Sequence, residues 1–427
     1  MNRGLKGLEE KVLKRDLCTA CGACLSLCPY LRSWQGRVVK LHDCGLDEGR
    51  CFAYCPRIEV GLDGIYQKEF GVHPVRNSNG ALNPVEIIPK CYPTAAAGPR
   101  GPLSEPEALP TGAEAPLSEL EDSPSRKLGR SLSRRLARRE ERSIISNGVN
   151  CEEMEIGPVR NILMARARDP IWRKKAQSGG VVSALIEYVL KKKAIDAAIL
   201  TLRDTDFLPK GGIVRNREDV LNCAGSSYVS GPTLEALHKG PWQGEEKIGV
   251  VGLPCHALAL AKMRTAPVEK KGSIDKVNLV IGLFCTWALE YEKLMVFLKK
   301  RVGEGCIEKM DITSPPERLF KIKMADGLHN LPVDEIRPFI RNGCRVCFDM
   351  TAEFSDMSVG TVEGIEGWNT VILRTDTGED LFKKAEGEGI IESKPLPADH
   401  LNHLKEASSL KKERAILAIR EREANRM

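Results

Sequence analysis

No run of apolar residues in this 427-residue chain approaches the roughly 20 that a membrane-crossing helix needs. The opening stretch, Met1 to Asp16, lacks the apolar core of a secretory leader. Charge of one sign is also scarce: 64 Lys and Arg stand against 58 Asp and Glu, and a net +6 over so large a surface does not point to nucleic acid. With 42% hydrophobic and 29% charged residues, the composition is that of a globular protein. These features argue against a membrane span, a secreted scaffold and a nucleic-acid binder. They lead to the expectation of a cytoplasmic protein, whose thiols stay reduced. What the chain has in quantity is cysteine, fifteen of them, and in a reducing compartment that number points to metal instead of disulfides.

Seven cysteines fall within the first 55 residues. Cys18-Thr-Ala-Cys21-Gly-Ala-Cys24-Leu-Ser-Leu-Cys28-Pro29 has the C-x2-C-x2-C-x3-C-P spacing of bacterial ferredoxins. Three thiolates two residues apart can wrap three iron corners of a cubane from one tight loop, and Gly22 gives the loop freedom to curl. A zinc ribbon has two separated pairs instead. A second run, Cys44 to Cys51 and on to Cys55-Pro56, ends in the same C-x3-C-P. Cys55 is therefore expected to return to the first 4Fe-4S cluster with Cys18, Cys21 and Cys24, and Cys28, Cys44 and Cys51 to hold a second. Asp47 stands where the register calls for a fourth cysteine, so that corner takes a carboxylate, a water or an outside residue, or a three-iron cluster forms. A third set is dispersed. Cys255 and Cys285 each follow an apolar run (Ile248–Leu253 and Val277–Phe284) that reads as a buried parallel strand, and Cys344 and Cys347 form a loop pair beside Gly343. Cysteines at the carboxyl ends of two such strands face the crevice where open α/β sheets bind ligands, although buried thiols without a ligand fit the same pattern.

Residues 1–70 read as a small ferredoxin-like domain. From 71 to 155 the texture changes to a Pro-, Ala- and Glu-rich stretch followed by a basic run, a composition expected of a low-complexity, disordered insertion. His73–Asn77 is echoed by Gly157–Asn161 at its other edge, and Cys91 and Cys151 inside it are set aside as ligands. Order is expected to resume over 156–396, with a charged helical tail at 397–427 that carries no chemical signal. Within 156–396, Ser178, Gly179 and Gly180 precede a helix, Ser178 as its cap, and leave room for a phosphate at the helix start. Gly225, Ser226, Ser227, Tyr228 and Ser230 form a second loop suited to phosphate or ribose. Neither is a G-x-G-x-x-G or a Walker loop.

Taken in order, Ala176–Leu185, Gly252–Ala257, Gly282–Cys285, Gly343–Asp349, Ser358–Val362 and Gly367–Thr370 resemble the β-subunit family of coenzyme F-420 hydrogenases and dehydrogenases. The resemblance runs through nearly all of 156–427, and the amino-terminal two-cluster part resembles the extension some members carry. It implies an α/β (α+β) fold: a flavin-binding mixed-sheet domain preceded by a small iron–sulfur domain. It also implies that Cys255, Cys285, Cys344 and Cys347 hold a cluster, and that FAD binds near it without a covalent link. The function so implied is an oxidoreductase subunit. It would pass electrons between a hydride carrier, either the deazaflavin F-420 or NAD(P)H, and a hydrogenase, formate dehydrogenase or heterodisulfide-reductase-like partner, with ferredoxin another candidate. The competing readings are an electron-transfer adaptor without its own hydride substrate and a zinc-bearing interaction protein. The 71–155 insertion and Asp47 depart from the family pattern.

Overall fold

The computed structural model describes residues 2–58, 155–204, 206–268, 272–313 and 316–424. The proposed 71–155 insertion, with Cys91 and Cys151, lies outside the described residues apart from Glu155. So do the last part of the 1–70 domain and the first copy of the repeated pentapeptide.

The amino-terminal part is wound around its cysteine loops. Its one hairpin pairs β1 (Leu31–Trp34) with β2 (Arg37–Lys40) across Gln35 and Gly36, both at positive φ as a two-residue hairpin turn requires. The remainder is built on an eight-stranded mixed sheet. Its central strands β4 (Ala197–Arg203), β6 (Ile248–Gly252), β7 (Val277–Leu283) and β11 (Met357–Thr361) are parallel neighbours in the order β11-β7-β6-β4. Antiparallel strands finish both edges: β5 (Pro209–Val214) beside β4, and β12 (Asn369–Leu373), β3 (Asn161–Ala167) and β13 (Ile391–Pro395) beyond β11. The expected mixed α/β architecture is what forms.

The continuous apolar runs of β6 and β7 arise because this sheet is covered on both faces. Ile199, Val250 and Val280 enter one core with Leu258 and Leu260 of the Pro254–Thr265 helix. Their neighbours Leu200, Val251 and Ile281 turn to the other face, against Leu185 and Ile186 of the Val181–Lys191 helix and Phe382. Full burial of each such side chain contributes roughly 1.5–3 kcal/mol. A separate antiparallel sheet, β8 (Ile307–Ile312), β9 (Leu319–Met324) and β10 (Gly327–Pro332), has its own core around Phe320 and Ile322.

The cysteine-rich amino-terminal part is not an appendage. Cys21, Ala23 and Tyr54 belong to the same core as Val250 and Leu258. The Cys21 carbonyl accepts from Leu234 N at 3.0 Å, and Ser26 Oγ donates to Glu235 at 3.0 Å. Gly22, at φ +87°, lies so close to this surface that a Cβ there would fall 2.7 Å from the Pro232 carbonyl oxygen. Its lack of a side chain thus serves docking as well as curling. The tail is a helix, Ala398–Ala424, that returns to the body of the protein. Among the described residues, no helix is long and apolar enough to cross a membrane.

Candidate functional site

Cys18, Cys21, Cys24 and Cys55 line one small cavity, together with Leu8, Val12 and Val38. Positive φ angles at Ala20, Gly22 and Ser26 curl the loop around it, and Ala20 N donates to Cys18 Sγ at 3.3 Å. Burial in this apolar space pushes the Cys21 and Cys24 thiols well up, and the neighbouring sulfurs push them further. Burial raises Cys55 as well, and thiols so placed resist ionisation until a cation arrives, which fits a metal cluster in the cavity. Lys262 Nζ, buried, donates to the carbonyls of Cys55 (2.6 Å) and Ile58 (3.3 Å) beside it.

Cys28, Cys44 and Cys51 also come together. Burial pushes the Cys51 thiol up to about 11, and Cys28 and Cys44 add to the shift. Asp47 is exposed, and its carboxylate accepts from Asn2 Nδ2 at 2.8 Å while its carbonyl accepts from Arg3 N at 2.7 Å.

The dispersed cysteines meet as well. Cys255 lies in the first turn of the Pro254–Thr265 helix that follows β6, Cys285 lies two residues beyond β7, and Cys344 and Cys347 close the gap from a tight turn. All four line a small cavity with Thr19, Arg57, Ser230 and Lys411. Burial pushes Cys255 up to about 12 and raises Cys285 and Cys344. Cys347 moves the other way: burial opposes it, but the positive charges of Lys411 and Arg57 bring its thiol below the ordinary value. These cavities suit a cluster that spreads its thiolates over several irons.

Thr19 lines both cavities, and the charges of Cys21 and Cys255 feel one another across it. The amino-terminal quartet and the dispersed quartet are therefore adjacent.

The two candidate phosphate loops behave differently from expectation in one respect. Ser178 does not cap the following helix. Its Oγ donates to the Trp368 carbonyl at 2.7 Å, and the N-cap is Gly180 at φ +76°, whose left-handed backbone leaves no side chain to cap with. A Cβ at Gly179 would fall 2.7 Å from Asn369 Oδ1, so this glycine makes room for the chain itself. In the second loop, Arg203 supports Gly225 and Ser226 from beneath by donating to the carbonyls of Ala224 (2.6 Å) and Ser226 (3.2 Å). The loops converge on Asp311 of β8, which receives Gln177 Nε2 from one and the Tyr228 hydroxyl, at 3.4 Å, from the other. Gln177 Oε1, Ser227 Oγ and Ser230 Oγ are buried there without a hydrogen-bond partner. Orphaned buried polar atoms on two converging loops fit a polar ligand such as the ribityl or phosphate part of a flavin. Ser230 reaches the wall of the dispersed-quartet cavity.

Arg57, Asp311 and Lys411 were not singled out in the sequence. A signal for Lys411 existed: Leu404, Ser408, Lys411 and Ala415 recur at helical spacing and are all buried, which puts a lysine on the inward stripe of the tail. The tail thus does carry a chemical group.

Comparison with known proteins gives two family matches: residues 162–238 to the coenzyme F-420 hydrogenase/dehydrogenase beta subunit N-terminal region, and 245–399 to its C-terminal region. The coenzyme F-420 hydrogenase subunit beta of Methanothermobacter thermautotrophicus is 33% identical over 268 residues, spanning 61% of this chain and 94% of that protein. The coenzyme F-420-dependent sulfite reductase of Methanocaldococcus jannaschii is 34% identical over 226 residues, 50% of this chain and 35% of that protein. A solved chain of the F-420-reducing nickel–iron hydrogenase complex from Methanosarcina barkeri superposes with a TM-score of 0.59 at 28% identity, over 65% of this chain and 95% of that one.

Proposed function

The chain belongs to the coenzyme F-420 hydrogenase/dehydrogenase beta-subunit family, and from that premise we propose that it is the electron-converting subunit of a redox complex. It takes or gives a hydride at a flavin and relays single electrons through iron–sulfur clusters to a partner of the hydrogenase, formate dehydrogenase or heterodisulfide-reductase-like type. Its proposed carriers are FAD, a 4Fe-4S cluster on Cys255, Cys285, Cys344 and Cys347, a second on Cys18, Cys21, Cys24 and Cys55, and a third on Cys28, Cys44 and Cys51. Deazaflavin F-420 is the proposed hydride carrier, since both the hydrogenase subunit and the sulfite reductase named above bear that coenzyme in their names.

The observation that carries this reading is contiguity. Ser230, at the end of the candidate flavin loop, lines the cavity of the dispersed quartet, and Thr19 separates that cavity from the amino-terminal quartet. A flavin supplies two-electron hydride chemistry and clusters supply one-electron transfer, so neighbouring sites for both make a two-to-one converter. The chain's own residues do the positioning. Gln177, Ser227, Tyr228 and Ser230 offer the hydroxyl and amide groups that would hold the flavin. Asp311 fixes the two loops against each other, and Arg203 keeps the second loop in shape. The Tyr228 backbone, at φ +50°, is held by Leu289 N donating to its carbonyl at 2.8 Å, and its hydroxyl accepts from Ile312 N at 3.2 Å.

Anaerobic purification followed by iron, sulfide and flavin analysis, then rapid mixing with reduced F-420, NADH and NADPH, tests the proposal. Bleaching of the flavin band by reduced F-420 is the expected result. A flavin reduced by dithionite but by none of the three carriers makes the chain an adaptor. Zinc without iron or flavin ends both readings.

A further inference from the structure

Lys411 and Arg57 come from opposite ends of the chain and meet at one cavity. Lys411 is 4% exposed, and its Nζ donates to the Cys285 carbonyl at 2.6 Å and the Asp349 carbonyl at 2.7 Å. Arg57 Nε donates to the Gly343 carbonyl at 3.0 Å, and its charge acts on Cys347, Cys255 and Cys344, with which it lines the cavity. Both residues lie outside the stretches 162–238 and 245–399 that match the family. A buried ammonium costs several kcal/mol unless something negative answers it. Carbonyl oxygens satisfy the protons of Lys411 but not its charge. Of the nearby acids, Glu353 is taken by Lys412, which leaves Asp349 and the sulfurs of Cys347, Cys285 and Cys344.

We propose that Arg57 and Lys411 are positioning residues that supply the counter-charge of the Cys255/Cys285/Cys344/Cys347 site and hold a cluster bound there at a less negative potential. This rests on the iron–sulfur reading above. Four thiolates on a cubane leave two negative charges when the cluster is oxidised and three when it is reduced. Two fixed cations at the wall offset the first state and favour the second more, since the attraction grows with the added electron. Among the described residues no cation lines the Cys18/Cys21/Cys24/Cys55 cavity: Lys262 stands beside it, held by the Cys55 and Ile58 carbonyls, and Arg57, whose charge also reaches Cys55, lines the dispersed cavity instead. The dispersed site is therefore the better electron acceptor of the two, next to the candidate flavin loops.

The test is a potentiometric titration of the full-length chain, followed by paramagnetic resonance after anaerobic isolation, with the dispersed-site signal identified as the one lost in Cys344→Ser. Lys411→Gln and Arg57→Gln are expected to keep iron and sulfide. At the wild-type midpoint, their reduced-to-oxidised ratio falls at least tenfold, about 59 mV for one electron. Lys411→Arg is expected to stay within threefold of wild type. Unchanged midpoints in both glutamine variants overturn the proposal. If the glutamine variants lose the cluster, retention in Lys411→Arg supports the charge role, and loss there as well overturns it. A wild-type chain without iron and sulfide refutes the cluster reading itself, a different result from an unmoved midpoint.

Discussion

The two four-cysteine cavities share a wall but are built in opposite ways. Cys18, Cys21 and Cys24 sit in one loop, and Cys55 closes the group from two residues beyond the short Arg50–Ala53 helix. The dispersed quartet is assembled from the ends of two parallel strands and a turn that carries Cys344 and Cys347, well beyond the second strand. The first is local geometry; the second exists only because β6 and β7 are adjacent and in register, Val250 beside Val280. Their electrostatics differ too. In the loop site burial and mutual repulsion keep Cys21 and Cys24 protonated, whereas two cations already pull Cys347 toward the thiolate.

The strongest way to break the comparison is to remove one ligand from each site. Cys285→Ser is expected to cost about four irons per chain and leave the amino-terminal signals intact. Cys24→Ser is expected to cost a similar amount and also to loosen the docking of the loop on Pro232–Glu235, read as faster proteolysis of the amino-terminal part. Loss of all iron in Cys285→Ser would show that the two sites are one folding unit.

That difference also explains what was legible in the sequence. The amino-terminal ligands announce themselves because a tight loop imposes fixed spacing. The dispersed set had only two apolar runs ending near cysteines, and the strands β6 and β7 that those runs become confirm the pattern. Ser178 was misread because a hydroxyl two residues before a helix looks like a cap, while Gly180, by turning left-handed, took the cap position and sent Ser178 to Trp368. Asp311 and Arg57 had no signal, since their roles come from packing between segments far apart. Lys411 had one, its inward helical register, which a scan for cysteine spacing passes over.

A smaller effect sharpens the comparison through acid. His238 donates to the Ala23 carbonyl in the loop site, and His256 is buried beside Cys255, where Nδ1 accepts from Leu253 N. Burial lowers each from an ordinary 6.5 to about 4. The unfolded chain therefore binds protons between those values that the folded chain refuses. The stabilisation is fully present above pH 6.5 and is lost as pH falls toward 4, by about 3 kcal/mol per histidine. Anaerobic urea unfolding at pH 7 and 5.5 checks this. His238→Gln is expected to roughly halve the acid loss; an unchanged pH slope in that variant would mean the loop site does not hold its histidine neutral.

The smallest expected effect is none, and it is informative because it separates ligand cysteines from the rest. Cys306 is exposed, and its thiol approaches only the Ile307 carbonyl, at 3.9 Å. Cys223 ends the Arg217–Cys223 helix near Arg203, and burial pushes its thiol up to about 12, as expected for an inert buried sulfur. Neither lines a cysteine cavity. Cys306→Ser and Cys223→Ala are expected to leave iron, sulfide and the resonance signals at wild-type levels, with Cys223→Ala costing about 1 kcal/mol of stability through lost packing. Iron lost from either variant would mean that cluster ligation in this chain reaches beyond the three groups of sulfurs gathered here, and that the contrast between a local and a dispersed site is drawn in the wrong place.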